Sequence, residues 1–334
     1  MGRVMPKQQS HPVEPAGGTL PGTIGNDASI AFPRELGIVV DGLRQARLDW
    51  RASHARHAER GIQFPSRQAL RRILRELGAA LFPLRLGPPE LTAGNENAWV
   101  EATLESTLSQ LGAQIAIELR IARPGIDSVE EGLEVDRIIG AFAASLPDIR
   151  RLLDEDVEAG YANDPAARSV DEVLLSYPSL AAIIHHRLAH RLYRLGAPLV
   201  ARVVAEVAHA ETGIDIHPGA AIGRSFFIDH GTGIVIGETA RIGDRVRLYQ
   251  GVTLGGEPAI AGGAHGGGGD DGTTRRHPAI GDDVVIFAGA VLLGPVTVGA
   301  RARIAGNVWL RRDVPPDSVV EAAEPAIRLK EPGE

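Results

Sequence analysis

The sequence predicts two architectures in succession, an all-α region over residues 35–212 and a parallel β-helix over residues 213–320. Three observations support this division. Apolar residues recur at helical spacing before residue 212, Ile, Val and Leu recur every six residues after it, and one glycine-rich stretch interrupts the six-residue period. Helices segregated from strands in this way indicate an α+β fold.

Composition excludes several classes of function. The 334 residues carry a net charge of −7, which argues against a general nucleic-acid binder. The absence of cysteine excludes disulfides, thiolate metal sites and a cysteine nucleophile, and it fits a cytoplasmic location. Lys7 and Lys330 are the only lysines, which argues against a P-loop or a Schiff-base enzyme. We expect no membrane span and no secretory signal, because long apolar runs are missing.

The region before residue 212 divides into an arm and a series of helices. Residues 1–34 are rich in Pro, Gly and polar side chains and lack periodicity, so we expect a disordered arm. The 3.6-residue apolar period then predicts helices. We expect a break at Pro147 and interruptions at Gly196 and Pro198. The predicted helical runs are Ala69–Leu81, Trp99–Ala122, Val129–Glu158 and Pro178–Glu211.

A six-residue period is typical of a parallel β-helix, in which each hexad forms one short strand and a corner. Twelve of thirteen key positions are Ile, Val or Leu. With three hexads per coil we expect a turn of about 18 residues, and so just over four turns in all. The key positions are Ile216, Ile222, Ile228, Ile234, Ala240, Val246, Val252, Ile280, Ile286, Leu292, Val298, Ile304 and Leu310.

The period breaks over residues 253–279, where the chain is rich in glycine and ends in Arg275, Arg276 and His277. A long segment without periodicity in a compact domain is commonly functional or disordered. We interpret it as a loop extruded from a corner of the β-helix, which carries charged residues to a site.

Polar residues that depart from the repeat are candidates for chemistry. Asp215 opens the β-helix, and Asp229 and His230 follow Ile228. A turn of three hexads would stack Asp215 on Gly233 and leave His230 one corner away. A carboxylate that orients an imidazole is a general-base device, although a structural polar pair would fit these positions equally well.

Several blocks closely resemble the serine O-acetyltransferases, hexapeptide-repeat acyltransferases that begin cysteine biosynthesis. The resemblance covers roughly residues 155–320 and implies a left-handed β-helix, against the usual right-handed crossover rule. It also implies acetyl transfer from acetyl-CoA to the hydroxyl of L-serine. The matching blocks are NDP at 163–165, AAIIHHRLAHRLY at 181–193, DIHPGAAIG from Asp215, DHGTGIVIGETA from Asp229, QGVTLGG from Gln250, RRHPAIGD from Arg275 and AGNVWL from Ala305.

The resemblance implies a role for each matching residue. His230 matches the catalytic base and Asp215 the acid that orients it. Asp164 and Asp229 match residues that contact the amino acid, Asp164 at its ammonium group. Arg276 matches the group that binds the carboxylate, with His277 beside it. The positions that match the CoA site are Ala288, Gly289, Gly306 and Asn307.

The expected mechanism is direct transfer, because a chain without cysteine cannot form a cysteinyl acyl-enzyme. The family implies a homotrimer or a dimer of trimers, sites between neighbouring β-helices, and feedback inhibition by L-cysteine. No metal is expected. The predicted tail, residues 321–334, ends KEPGE instead of the family's terminal isoleucine, which argues against docking onto O-acetylserine sulfhydrylase.

Three alternatives remain at this stage. One is an acetyltransferase of the same fold that acts on homoserine or a sugar hydroxyl. Another is a γ-type carbonic anhydrase, although the repeat region lacks that enzyme's pair of histidines five residues apart. The third is a β-helix scaffold without activity. His186 and His190 also share a helical face at metal-binding spacing, but the sequence HHRLAH lacks the glutamate of HExxH, so we expect a structural role.

Overall fold

The computed structural model describes residues 33–53, 63–256 and 275–322. The predicted arm, the centre of the predicted loop and the predicted tail lie almost entirely outside these ranges. Helix α1 belongs to one unit, and the chain from residue 63 onward forms another, so each is described by itself.

The described residues form eight helices. Helix α1 stands in the first unit, and its side chains from residue 36 onward are exposed. The other seven precede the strands. The helices are α1 Pro33–Ser53, α2 Arg67–Leu81, α3 Pro83–Leu86, α4 Glu96–Ala122, α5 Ser128–Asn163, α6 Val170–Ser176, α7 Pro178–Leu195 and α8 Pro198–Thr212.

Sequence signals explain where these helices begin and end. Asp127 caps α5 by accepting hydrogen bonds from the backbone N–H groups of Val129 and Glu130. Pro178 and Pro198 open α7 and α8, where a missing N–H costs nothing. Gly196 and Gly213 end the same two helices in the left-handed conformation, with φ of 97° and 70°.

The break predicted at Pro147 is wrong, because α5 runs through this proline without interruption. Proline removes one backbone donor from a helix and disfavours its interior. Here, however, Phe142, Leu146, Ile149 and Leu153 are all buried on either side of it. Tertiary packing of that face therefore outweighs the local penalty.

Fourteen short strands follow in the described residues and pair in parallel as three sheets. We name them sheet A (β1-β4-β7-β10-β13), sheet B (β11-β8-β5-β2) and sheet C (β14-β12-β9-β6-β3). The strands are β1 Asp215–Ile216, β2 Ala221–Ile222, β3 Phe227–Asp229, β4 Val235–Ile236, β5 Arg241–Ile242, β6 Arg247–Tyr249, β7 Thr253–Gly255, β8 Ala279–Ile280, β9 Val285–Ile286, β10 Val291–Leu293, β11 Thr297–Val298, β12 Arg303–Ile304, β13 Trp309–Leu310 and β14 Val319–Val320.

The register corrects the predicted repeat in the first coil. Ile216 pairs with Ile236, and Ile236 in turn pairs with Leu254, so the first step along sheet A is longer than the second by two positions. The additional residues lie between β3 and β4. The predicted strand positions at 234, 240, 246 and 252 are therefore wrong by two, and the inward strand residues are Ile236, Ile242, Leu248 and Leu254.

The glycine-rich excursion leaves the β-helix at one corner and returns to the same corner. Leu254 pairs with Leu292, so the coil that contains the excursion is more than twice as long as the regular coil from Ile236 to Leu254. The predicted loop bounds of 253 and 279 are too wide, because Thr253–Gly255 and Ala279–Ile280 are paired strands. The strands on both sides of the excursion thus keep the regular pairing of the β-helix.

One hydrophobic core runs from Leu70 to Val314 through helices and β-helix alike. Helices α5 and α7 pack on β3, and α8 packs on β1. This contact places the carboxyl end of α5 beside the first coil. The predicted α+β fold class, helices followed by a parallel β-helix of hexapeptide repeats, is confirmed. None of the described helices is long and apolar enough to cross a membrane.

Candidate active site

His230 lies on an enlarged corner of the β-helix. Five residues separate β3 from β4, whereas three separate β6 from β7 at the next corner of the same edge. His230, Gly231 and Gly233 adopt positive φ values of 60°, 96° and 80°. The His230 side chain is 74% exposed, and its Nε2 lies 3.9 Å from Oδ1 of Asp229. The imidazole is therefore open to a ligand at this corner.

Asp215 lies on the outer face of sheet A, since the next residue, Ile216, points into the core. Its predicted stacking on Gly233 is wrong, because Asp215 pairs with Val235. Gly233 stacks instead on Gly213, to whose carbonyl it donates a hydrogen bond of 2.8 Å. The enlarged corner causes this shift. No hydrogen bond joins Asp215 to His230 within the part of the chain that the structure describes.

Asp164 follows the last residue of α5 and faces the His230 corner. It accepts hydrogen bonds from the Tyr177 hydroxyl and from the Ala166 backbone N–H. The Tyr177 hydrogen bond is the main reason that the pKa of Asp164 is lowered, and the charges of Arg247 and His230 add to it. The same hydrogen bond raises the pKa of Tyr177 to about 12. Asp164 is therefore an ionised, fixed acceptor.

Asp229, the last residue of β3, forms an ion pair with Arg247 on the neighbouring strand β6. The Arg247 guanidinium also lies 4.7 Å from the Tyr249 ring centre and 5.4 Å from that of Phe227. Both partners are largely buried, with side chains 15% and 20% exposed for Asp229 and Arg247. The corner thus presents two carboxylates and one imidazole, which suits a ligand with an ammonium group and a hydroxyl.

Arg276 and His277 lie on a different corner, between sheets A and B. The hydroxyl of Thr239 accepts hydrogen bonds from the backbone N–H groups of both residues, at 2.9 and 3.1 Å. The Arg276 guanidinium forms an ion pair with Glu238. The Tyr193 hydroxyl donates to the same carboxylate at 2.7 Å. The end of the excursion is therefore fastened to the corner between β4 and β5.

This second corner holds neutral histidines beside an ionised acid. Burial lowers the pKa of His277, and Arg276 lowers it further. Burial also lowers the pKa of His217 to about 4. Burial acts to raise the pKa of Glu238, but the Tyr193 hydrogen bond and the neighbouring basic side chains, Arg276 among them, together outweigh it and leave the pKa lowered. A cavity of about 440 Å³ opens here and is lined by Tyr193, Glu238 and Arg275 among others.

The four residues predicted to bind CoA lie in one column, on the same edge of the β-helix as His230. Backbone hydrogen bonds of 2.9–3.0 Å connect the successive corners along this edge. The bonds run from Gly251 N to Thr232 O, from Gly289 N to Gln250 O and from Asn307 N to Ala288 O. Asn307 also lines a cavity of about 540 Å³ with Trp309, Arg311 and Arg312.

The structure therefore divides the predicted site residues into two groups. Asp164, Asp229 and His230 meet at the corner between sheets C and A, whereas Arg276 and His277 occupy the corner between sheets A and B. No ion pair or hydrogen bond between the two groups occurs among the described residues. One chain alone thus presents two separate halves of the predicted site.

Sequence reasoning missed four residues that hold these groups in place, namely Tyr177, Tyr193, Glu238 and Arg247. A signal existed for two of them. Arg247 lies 18 residues after Asp229, one nominal coil away. Glu238 is a charged residue at a corner of the repeat, as His230 is. Tyr177 precedes α7 and Tyr193 lies on it. The apolar periodicity of a helix indicates which residues are buried but not which side chains they contact.

Two of the three histidines of α7 lie in the core. His185 and His186 are buried, and the Nδ1 atom of each lacks a hydrogen-bond partner within the described ranges. Burial lowers the pKa of both, so they stay neutral. His190 Nδ1 contacts the Pro218 carbonyl at 2.8 Å. Across residues 33–53, 63–256 and 275–322, no group of three or more His, Asp or Glu could hold a metal ion.

Comparison with known proteins gives consistent matches. The family model for the bacterial transferase hexapeptide (six repeats) matches residues 277–312. A plasmid serine acetyltransferase of Synechococcus elongatus is 49% identical over 293 residues, which cover 86% of this chain and 90% of that protein. A serine acetyltransferase of Bacillus subtilis is 48% identical over 170 residues, covering 51% of this chain and 73% of the relative.

A solved structure extends the similarity to three dimensions. Serine acetyltransferase isoform 3 of Entamoeba histolytica, crystallised in complex with cysteine, superposes with a TM-score of 0.65 at 34% identity. The match covers 78% of this chain and 84% of that one. The two proteins therefore share a fold over most of both chains.

Proposed function

Because the chain belongs to the serine acetyltransferase family and is an acyltransferase, we propose that it transfers the acetyl group of acetyl-CoA to the hydroxyl of L-serine. The products are O-acetyl-L-serine and CoA. The observation that carries the proposal is the meeting of Asp164, Asp229 and the exposed His230 at one corner. These groups match the ammonium and the hydroxyl of serine.

In the proposed reaction, His230 removes the hydroxyl proton as the serine oxygen attacks the thioester carbonyl. The C–S bond then breaks, and the imidazolium returns the proton to the departing CoA thiolate. Asp215 orients the imidazole, a role that requires the pair to close when substrates bind, since catalytic hydrogen bonds commonly tighten only in the complex. No covalent enzyme intermediate forms.

Acetyl-CoA is proposed to lie along the edge that carries His230. Ala288, Gly289, Gly306 and Asn307 line this edge with small or short side chains, which let a narrow chain approach the backbone. The cavity beside Asn307 adds an indole and two guanidinium groups, from Trp309, Arg311 and Arg312. An aromatic ring and cations suit a nucleotide base and its phosphates.

We also propose that the two halves of the site meet between neighbouring chains of a homotrimer, as in the family. Arg276 and His277 of one chain would then supply the carboxylate contact for serine bound at His230 of the next. L-Cysteine has the same ammonium and carboxylate, and the Entamoeba histolytica enzyme was crystallised in complex with cysteine. We therefore propose that cysteine competes with serine here.

Thiol release from acetyl-CoA tests the proposed function. We expect rapid release with L-serine and release at least about 100-fold slower with ethanolamine or a simple sugar, because ligands that leave charged groups of the site unpaired are strongly rejected. L-Homoserine keeps both charges but adds one methylene, so its release should be about 10-fold slower. Preferred release with homoserine or a sugar would keep the acetyltransferase and overturn the serine assignment, and no release with any acceptor would overturn both.

A further inference from the structure

Two of the three charged contacts proposed for serine already have ionic partners inside the chain, whereas the third, Asp164, accepts a hydrogen bond from Tyr177. Arg276, proposed to bind the carboxylate, pairs with Glu238. Asp229, proposed to contact the amino acid, pairs with Arg247. Each half of the site therefore carries a charge of the same sign as the ligand group that it receives.

Glu238 is fixed in this position. The Tyr193 hydroxyl donates to its Oε1, and the Arg276 guanidinium donates to its Oε2, so both carboxylate oxygens have partners. Its side chain is 35% exposed, against 54% for that of Arg276. A carboxylate held at both oxygens keeps a constant position beside Arg276.

Arg247 is fixed as well. The rings of Tyr249 and Phe227 flank its guanidinium, and its Nη2 donates to Asp229. Its Nε is buried and has no hydrogen-bond partner in the described part of the chain. This arginine therefore cannot swing away to solvent without losing two ring contacts.

We propose that Glu238 and Arg247 are specificity-determining residues that make the site select a zwitterion over ligands with a single charge. The inference rests on the proposed function, because it takes Arg276 and Asp229 as substrate contacts. Glu238 repels the carboxylate of a ligand, and Arg247 repels its ammonium group. A zwitterion carries the opposite charge on the same small molecule, and this charge offsets each repulsion. A ligand with a single charge lacks that offset.

Substitutions of Glu238 and Arg247 should change the binding of two singly charged ligands in opposite ways. Serine lacking its ammonium is 3-hydroxypropionate, and serine lacking its carboxylate is ethanolamine. Glu238→Gln should bind 3-hydroxypropionate about fivefold more tightly without tighter binding of ethanolamine, and Arg247→Met should do the reverse. A change of about fivefold is the upper range for one partly exposed ion pair.

The test measures dissociation constants of L-serine, 3-hydroxypropionate and ethanolamine by calorimetry, on the full chain without acetyl-CoA. Asp283→Asn is the control, since it breaks the exposed Arg245–Asp283 pair on another corner and should change none of the three. Shifts of both ligands in the same direction, or shifts no larger than the control's, would overturn the inference alone. A wild-type chain that does not bind serine would overturn the proposed function with it.

Discussion

Replacing His230 with alanine should lower kcat about 10²–10⁴-fold, the usual contribution of a positioned general base. The imidazole is the only titratable base exposed at the enlarged corner among the described residues, and it lies beside both carboxylates of the cluster. KM for serine should change little, because Asp164 and Asp229 remain. Steady-state thiol release at saturating acetyl-CoA measures both parameters.

His209 offers a matched control for this substitution. Its side chain, on α8, is 46% exposed and pairs only weakly with Glu206, at 3.7 Å. His209→Ala should leave kcat unchanged. If His230→Ala retained more than about a tenth of the wild-type kcat while staying folded, the assignment of His230 as the base would be wrong.

Replacing Asp156 with asparagine should destabilise the fold by about 3–5 kcal/mol, the cost of leaving a buried charge without its partner. Asp156 is fully buried on α5 and accepts two hydrogen bonds from Arg187 on α7, at 3.0 and 3.1 Å. Arg187 donates further to the carbonyls of Ile222 and Gly223. Asp156 also accepts from the Phe226 backbone N–H. The pair thus joins two helices to the first coil.

Denaturant unfolding of Asp156→Asn and of Asp154→Asn provides the comparison. Asp154 lies in an exposed i,i+4 pair with Arg150, so its substitution should cost no more than about 0.5 kcal/mol. Equal effects of the two substitutions would mean that the buried pair does not fasten the helices to the β-helix.

The sequence predicted the β-helix well but misplaced its register in the first coil, for a reason in the packing. Each coil buries two residues per side, one in the strand and one two positions earlier in the corner. Ile234 and Ile236 are accordingly 0% and 1% exposed. A count of six from Ile228 therefore arrives at a buried aliphatic residue in either register. Only backbone pairing distinguishes the regular step from the longer one.

The helical part shows the same limit. Apolar spacing predicted α2 and α4 to within a few residues of their bounds, and the interruptions at Gly196 and Pro198 did so for α7. The proline rule failed in α5, because the packing of residues on both sides of Pro147 is a tertiary effect that local sequence does not encode. Likewise, no pattern along the sequence reveals that Asp156 and Arg187 meet.

The sequence supplied the candidate residues of the site but not their arrangement. The motif blocks named Asp164, Asp229, His230 and Arg276 as candidates. Their division between two corners follows from the three-sided coil. The enlarged corner lies between sheets C and A, whereas the excursion lies between sheets A and B. The internal partners Glu238 and Arg247 emerged only from side-chain contacts.

If the two separated corners act together as one site, assemblies that mix two inactive variants should regain activity. The His230→Ala chain and the Arg276→Ala chain should each be nearly inactive alone. The two are then co-expressed with different tags, and the mixed trimers are purified through both tags. If neighbouring chains share a site, every mixed trimer has one intact site of three, so the purified mixed trimers should show about a third of the wild-type activity. The control mixes His230→Ala with the double variant and should restore none. No recovery in the first mixture, with mixed trimers present, would contradict a shared site.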